Sequence, residues 1–383
     1  MVKILVDTTA IRDKPSGIGI YTINLIKALY SLQKEENIDL GIYYQLSLKN
    51  LLKGNFSVPK ILKKYQPCYT LPLPVTITNI LGKYNNPILN YFDQYLDKPD
   101  IIQGTDHFVY PCRSAKKIMT IHDLSFIKHP EYAPKIVKNT YQNRIAKCLQ
   151  WTDLIITFSQ STKQDIIDIF QINENKIFIT KQSSRYEDIN LNHLEQSQVK
   201  YNFNDPYLLF VSTFEPRKNI INIIRAFEYL KKTKKIEHNL ILIGKKGWQY
   251  QVIFEAINSS PFCQDIYYLG YLTDEQVALF YQKADVFIYP SFYEGFGLPV
   301  LEAMNLGAPV ITSNNSSLPE VAGDAAIFIN PHNYHELADA ILQVVSNYQL
   351  RQDLIARGKN RAKLFSWKNT AQQTINTYKY LLN

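Results

Sequence analysis

Four stretches of this 383-residue chain put charged or hydrogen-bonding groups at turns, where a ligand could reach them. The richest is PSFYEGFGLPVLEAM, residues 290–304, in which seven residues separate Glu294 from Glu302. A carboxylate at Glu302 can accept hydrogen bonds from two neighbouring hydroxyls, as a ribose diol offers. The N–H groups of the loop from Gly295 onward, those of Phe296, Gly297 and Leu298 among them, can face an anion or sugar hydroxyls. Pro299 suits a first helical turn, so Glu302 is expected in the opening turn of a helix. With 15 Glu in the chain the spacing alone carries little weight; its place at a strand–loop–helix junction adds to it.

In TFEPRKN, residues 213–219, Arg217 and Lys218 precede an amphipathic stretch, IINIIRAFEYL. A basic pair at a helix N-terminus suits a pyrophosphate, because fixed N–H dipoles and cationic side chains act in the same direction; a solvated basic turn is the plainer alternative. Ser16, Gly17, Ile18 and Gly19 open a further helical stretch, TINLIKALYSL. Two glycines let backbone amides approach a phosphate closely, although a tight turn would need them equally and the pattern is not Gly-x-Gly-x-x-Gly. His122 and Asp123 deliver an imidazole and a carboxylate to the end of another apolar run. The imidazole could contact a sugar or stabilise charge at a reacting carbon, or the pair could simply hold its loop. No Asp-x-Asp occurs, and no His, Cys, Asp or Glu cluster has metal-ligand spacing. A site that holds diphosphate with lysine and helix N-termini, without a metal, is expected.

Each of these groups follows a short β-rich run. KILVD (3–7), IDLGIYY (38–44), DIIQG (100–104), KIMTIHD (117–123) and DLIITFS (153–159) alternate with helix-length stretches. The pattern restarts with YLLFVS (207–212), NLILIG (239–244), DIYYLG (265–270), DVFIYP (285–290) and APVITS (308–313). Such alternation predicts parallel sheets with crossover helices, hence two doubly wound α/β domains. The polar segment 186–206 is expected to hold the boundary between them. In open sheets of this kind, ligands bind beyond the carboxyl ends of the strands, where the four motifs fall.

Composition narrows the class. At 46% hydrophobic and 20% charged the chain is neither disordered nor low-complexity. Cys68, Cys112, Cys148 and Cys263 are scattered without C-x-x-C spacing, so neither a disulfide framework nor a thiolate metal site is indicated. No 18-residue apolar run occurs. A cytoplasmic protein is expected, lying at most on the inner face of a membrane. Of the net charge of +8, residues 1–190 carry +7 (24 Lys+Arg against 17 Asp+Glu) and residues 191–383 carry +1 (18 against 17). Residues 40–92 contain six lysines and no acid. Lys60, Lys63 and Lys64 are the expected contacts with an anionic lipid surface or a lipid pyrophosphate; a solvated basic face is the alternative.

The runs VSTFEPRKNIINIIRAFEYL and LGYLTDEQVALFYQKADVFIYPSFYEGFGLPVLEAMNLGAPVITSNNSSLPEVAGDAAIFINP resemble the nucleotide-binding domain of family 4 retaining glycosyltransferases of GT-B fold. SGIGIYT, TIHDL and the closing SWKNTAQQTINTYKYLL are similar to that family's N-domain and C-terminal patterns. The resemblance implies two Rossmann-like domains facing a central cleft. They would be an acceptor-binding domain at 1–190 and a nucleotide-sugar-binding domain at 191–365, with a helix at 366–383 packing back on the first. It implies that Lys218 contacts the donor diphosphate, that Gly17, Ile18 and Gly19 approach it, and that Glu302 holds the ribose. Glu294 and the amides around Phe296, Gly297 and Leu298 would hold donor-sugar hydroxyls and phosphate, His122 would lie near the transferred sugar, and Tyr271 and Leu272 would lie near the base. Many members carry Arg five residues before the lysine, where this chain has Thr213; Arg217 is the candidate replacement.

The activity implied is transfer of a hexose, with retention, from a nucleotide diphosphate sugar to a hydroxyl of a saccharide or lipid-linked acceptor. GDP-mannose is the first choice of donor and surface polysaccharide the expected product. No cofactor and no nucleic acid is expected. The alternatives are another GT-B activity, a sugar-nucleotide epimerase or a phosphorylase, and a catalytically silent GT-B subunit bound to a partner enzyme.

Overall fold

The computed structural model describes the chain except for residues 13–16, 55–56, 82–85, 188 and 190–200, and the side chains at 49 and 79. Ser16, Lys83 and most of the expected boundary segment lie outside the described residues. Two compact units result. The first comprises Met1–Ile127, Lys135–Gln182 and Trp367–Asn383, the second Lys128–Pro134 and Ser183–Ser366.

The first unit contains strands β1 (Val2–Asp7), β2 (Ile38–Gln45), β3 (Cys68–Leu71), β4 (Ile101–Gly104), β5 (Lys116–Thr120), β6 (Leu154–Thr157) and β7 (Ile177–Ile179). They pair in the order β3-β2-β1-β4-β5-β6-β7, all parallel. The second contains β8 (Tyr207–Val211), β9 (Asn239–Ile243), β10 (Ile266–Gly270), β11 (Val286–Tyr289), β12 (Val310–Ser313) and β13 (Ala326–Ile329), ordered β10-β9-β8-β11-β12-β13 and again parallel. Both sheets are doubly wound, with the strand order reversing between β1 and β4 and between β8 and β11. The inner strands are continuous apolar runs because helices cover both faces: every residue of β8 and of β11 is buried.

The helix Ile220–Lys232 forms because Ile220, Ile223, Ile224, Phe227 and Leu230 repeat at helical spacing, and all five are buried. The helix Trp367–Leu382 uses the same device in the first unit. Trp367, Thr370, Ala371, Thr374, Ile375 and Tyr378 form its buried face, which packs on the helix Gly17–Leu32. Tyr378 hydrogen-bonds Gln103 of β4, and Thr370 donates to the Lys181 carbonyl at 2.6 Å.

The units divide between Gln182 and Ser183, ahead of the expected boundary at 190. The reason is local: Ser183 donates to the Phe365 carbonyl at 3.1 Å, and the Tyr186 carbonyl accepts from Asn305 at 2.8 Å. The insert Lys128–Pro134 belongs with the second unit for a similar reason. Trp248 donates to the Tyr132 carbonyl at 2.7 Å, and the Tyr132 ring stacks on Phe292 with centroids 5.0 Å apart.

Candidate functional site

In the second unit, the two strands at the point where the order reverses deliver the charged groups. After β8 the chain turns through Pro216–Lys218, and Asn219 takes a left-handed backbone (φ 61°) to start the helix Ile220–Lys232. The Asn219 amide holds that turn by donating to the carbonyls of Pro290 and Pro331 at 2.9 and 2.7 Å. After β11 comes the loop with Glu294, fixed by a hydrogen bond from its N–H to Ser316 (3.0 Å) and one from Ser317 to its carbonyl (2.9 Å). Gly297 (φ 105°) opens the helix Leu298–Leu306; a β-carbon there would come within 2.8 Å of Leu318. Only glycine satisfies both constraints.

The side chains meet as a buried cluster. Lys218 Nζ lies 2.6 Å from Glu294 Oε1 and donates to the Tyr289 hydroxyl at 2.8 Å. Arg217 lies 3.1 Å from Glu294 Oε2, 2.9 Å from Glu215 and 2.6 Å from the Tyr293 carbonyl. Burial alone would raise the Glu294 carboxyl, but the charges of Arg217 and Lys218 outweigh it and hold the group below its usual range. Burial and Arg217 would lower the Lys218 ammonium; Glu294 and its other anionic neighbours reverse this. Lys218 and Glu294 are thereby both held in their ionised forms. Lys218 has three N–H directions, two of which go to Glu294 and Tyr289; the third suits a ligand oxygen.

The structure brings Arg217, Lys218 and Glu294 together and makes Arg217 part of the cluster. Phe296 turns its ring inward against Phe365 (5.9 Å), which leaves its backbone rather than its side chain for a ligand. Glu302 lies one turn into its helix, beyond the opening turn expected from Pro299. It is 1% exposed and gripped by Arg185, whose Nε and Nη2 reach Oε1 and Oε2 at 2.7 and 3.0 Å. The third arm of the same guanidinium, Nη1, reaches Asp274 at 2.9 Å. Tyr271 and Leu272 form the turn between β10 and the helix Asp274–Lys283. Tyr271 is half-exposed, with Lys245 4.3 Å from its ring centroid.

In the first unit, Gly17, Ile18 and Gly19 lie inside the first turn of the helix Gly17–Leu32, which starts five residues earlier than the sequence predicts. The tight-turn reading of the two glycines is thereby corrected: they are helical and lie in a helix's first turn, whose amides have no partner within the helix. His122, two residues past β5, contacts the Thr105 carbonyl through Nε2 at 2.7 Å. A carbonyl only accepts, so Nε2 carries the proton and Nδ1 is the acceptor. The ring is wedged against Tyr21, Phe158 and His107, with centroids 5.3, 4.9 and 5.5 Å away. Burial pushes its pKa down and keeps it neutral.

Sequence reasoning missed several of these groups. Burial pushes His107 down to about 3 and Asp7 up to about 6, and both lie at the reversal point of the first sheet, past β4 and at the end of β1. Glu215, inside TFEPRKN but not singled out there, and Tyr289, a polar residue within the apolar run DVFIYP, complete the cluster around Lys218, and Arg185, which grips Glu302, sits in no motif. Lys60, Lys63 and Lys64 are exposed on the short 3-10 helix Lys60–Lys64. Among the described residues, no group of three or more His, Cys, Asp or Glu could hold a metal ion, and no helix is long and apolar enough to cross a membrane.

Two doubly wound parallel sheets, the second with buried cations at its switch point, have the architecture of nucleotide-binding α/β proteins. Residues 194–361 match the family described as glycosyl transferases group 1. The chain is 37% identical over 288 residues to O-antigen chain mannosyltransferase B of Escherichia coli, covering 74% of this chain and 76% of that one. It is 27% identical over 303 residues to serotype-specific mannosyltransferase WbdA of Escherichia coli, 77% of this chain but 36% of that longer protein. Sucrose-phosphate synthase of Thermosynechococcus elongatus superposes with a TM-score of 0.77 over 100% of this chain and 99% of its own, at 19% identity. The chain belongs to the group 1 glycosyl transferases, and its fold is GT-B. It is a glycosyltransferase.

Proposed function

We propose that this glycosyltransferase moves mannose from GDP-mannose to a hydroxyl of a saccharide or lipid-linked acceptor, with retention, in the synthesis of a surface polysaccharide. The sugar is suggested by the O-antigen chain mannosyltransferase that is 37% identical to it. The observation that carries the donor reading is the cluster of Lys218, Arg217 and Glu294 at the switch point. Its preorganised cations suit the charge that develops on a departing diphosphate, and they do so without a metal. Phe296, Gly297 and Leu298 contribute loop and helix N-terminal amides to the same task, Glu302 holds the ribose, and Tyr271 and Leu272 flank the base. In the first unit, the amides of Gly17, Ile18 and Gly19 serve phosphate, and neutral His122 accepts a hydrogen bond from a sugar hydroxyl at Nδ1.

The carboxylate nucleophile and acid of a double displacement would have to stand about 5 Å apart. Glu294 is instead tied up by Lys218 and Arg217. Same-face attack follows: the bond from the anomeric carbon to phosphate breaks, the bond to the acceptor oxygen forms, and the acceptor proton passes to the leaving phosphate oxygen.

The acceptor reading rests on the basic first unit. Near Lys60, Lys63 and Lys64 in sequence, Leu52, Ile80, Ile88 and Tyr91 are 79%, 72%, 53% and 63% exposed. Exposed apolar and basic side chains in one stretch of chain suit the interface of an anionic bilayer.

The test is transfer from labelled GDP-mannose, compared with UDP- and dTDP-sugars, to oligosaccharide acceptors, with product anomer assigned by NMR and EDTA present throughout. An α-mannoside formed at an undiminished rate supports the reading. Preference for another donor, an inverted product, or activity lost to EDTA would overturn the corresponding part.

A further inference from the structure

We propose that Arg185 stands in for the nucleotide on Glu302, and that donor binding requires its guanidinium to give up that carboxylate and move out onto Asp274. The inference rests on reading Glu302 as the ribose residue and deepens it. A guanidinium presents parallel N–H donors to a carboxylate as a fork; a ribose diol presents two O–H donors. Arg185 makes that fork now, with 2.7 and 3.0 Å contacts to the two Glu302 oxygens. The Glu302 side chain is thereby 1% exposed, against 22% for Arg185 and 54% for Asp274. Hydroxyls cannot reach Glu302 while the guanidinium covers it.

The exit is laid out in the same contacts. Arginine does not lose its charge in proteins, so on leaving Glu302 it needs another anion. Asp274 already holds Nη1 at 2.9 Å and lies further into solvent. The backbone beside Arg185 is tied to the helix that carries Glu302, through the 2.8 Å bond from Asn305 to the Tyr186 carbonyl. The exchange is therefore a side-chain rotation. The vacated space is already polar: the hydroxyls of Tyr186 and Tyr281 are buried without a hydrogen-bond partner among the described residues, and both phenols feel the Glu302 charge. Because Asp274 directly follows the Tyr271–Thr273 turn, the moving guanidinium couples the ribose carboxylate to the turn proposed to flank the base.

Calorimetric titration of the full chain tests this, using whichever of GDP and UDP binds more tightly, together with its 2′,3′-dideoxy form. A protein whose competent state is populated one-tenth of the time loses about tenfold in apparent affinity. Arg185→Ala should therefore bind the ribonucleotide about tenfold more tightly than wild type and leave the dideoxy form unchanged. Asp274→Ala, a change at a half-exposed side chain that keeps the question open if the arginine variant misfolds, should weaken ribonucleotide binding and again spare the dideoxy form. Weaker ribonucleotide binding by Arg185→Ala, or equal effects on both nucleotides, would overturn the proposal. Glu302→Gln separates the two layers. If it leaves discrimination between ribo and dideoxy forms intact, the ribose reading itself fails; if it abolishes discrimination while Arg185→Ala does not tighten binding, only the exchange fails. Absence of binding by either nucleotide to wild type overturns both.

Discussion

The two units end their switch-point strands in polar groups but treat buried charge in opposite ways. In the second unit every buried ionised group described above has a partner: Glu294 with Lys218 and Arg217, Glu215 with Arg217, and Glu302 with Arg185. In the first, Asp7, His107 and His122 are shifted toward their neutral forms by burial. Pairing keeps charges in place for the diphosphate proposed above; the two histidines, left neutral, are hydrogen-bonding groups without a field, which suits the proposed sugar. On the proposed reading, the same fold prepares one surface for an anion and another for a polyol.

Removing one partner from the paired unit should do the most damage. Glu294→Ala takes from Lys218 and Arg217 the carboxylate they share, and should cost about 3 kcal/mol of stability with a fall of about 10³ in kcat/KM; denaturant melts and donor turnover measure the two. Lys218→Ala should lose turnover to a similar degree with a smaller loss of stability, since Arg217 still faces Glu294. Equal stability losses would show that the pairing is not shared between the two cations.

His122→Ala should lower kcat/KM by about 10². In the wild type, any inflection that His122 gives the pH–rate profile should fall below the usual histidine range, because burial pushes this imidazole down; an inflection at or above 6.5 that vanishes in the variant would contradict the neutral-site reading. Smaller still is the effect of Asp7→Asn. Asp7 titrates at about 6 when folded against 3.8 ordinarily, so above pH 6 the wild type keeps a buried charge at a cost the variant avoids. The variant should melt about 5 °C higher at pH 8. The gain should shrink as pH falls through 6 and vanish below 3.8. The smallest effect expected is on lipid contact: changing Lys60, Lys63 and Lys64 to Gln should reduce salt-sensitive sedimentation with anionic vesicles by about tenfold, at roughly 1 kcal/mol or less per lysine. Salt-insensitive binding would remove the electrostatic part of the acceptor reading.

Ten of the thirteen strands among the described residues are legible as apolar runs, and the three that are not share a physical position. β3, β7 and β13 lie at sheet edges, are three or four residues long, and are only partly buried; edge strands need less apolar surface. The site divides in a similar way. Arg217, Lys218, Glu294 and Glu302 are readable because a strand end and a helix start bracket them. Arg185 acts through a contact that no local pattern encodes, across 117 residues to Glu302. The start of the helix at Gly17 was hidden because glycine is normally a helix breaker, yet at a helix N-terminus its cost is small.

The helix Trp367–Leu382 has a consequence for how the protein is made. Its residues complete the first unit, and Tyr378 closes on Gln103 across 275 positions of chain. During synthesis the second unit can finish folding while the first still lacks the cover over the helix Gly17–Leu32. The earliest-made half of the molecule must therefore wait for residue 378 to leave the ribosome, with an apolar flank open to chaperones or to a neighbouring nascent chain.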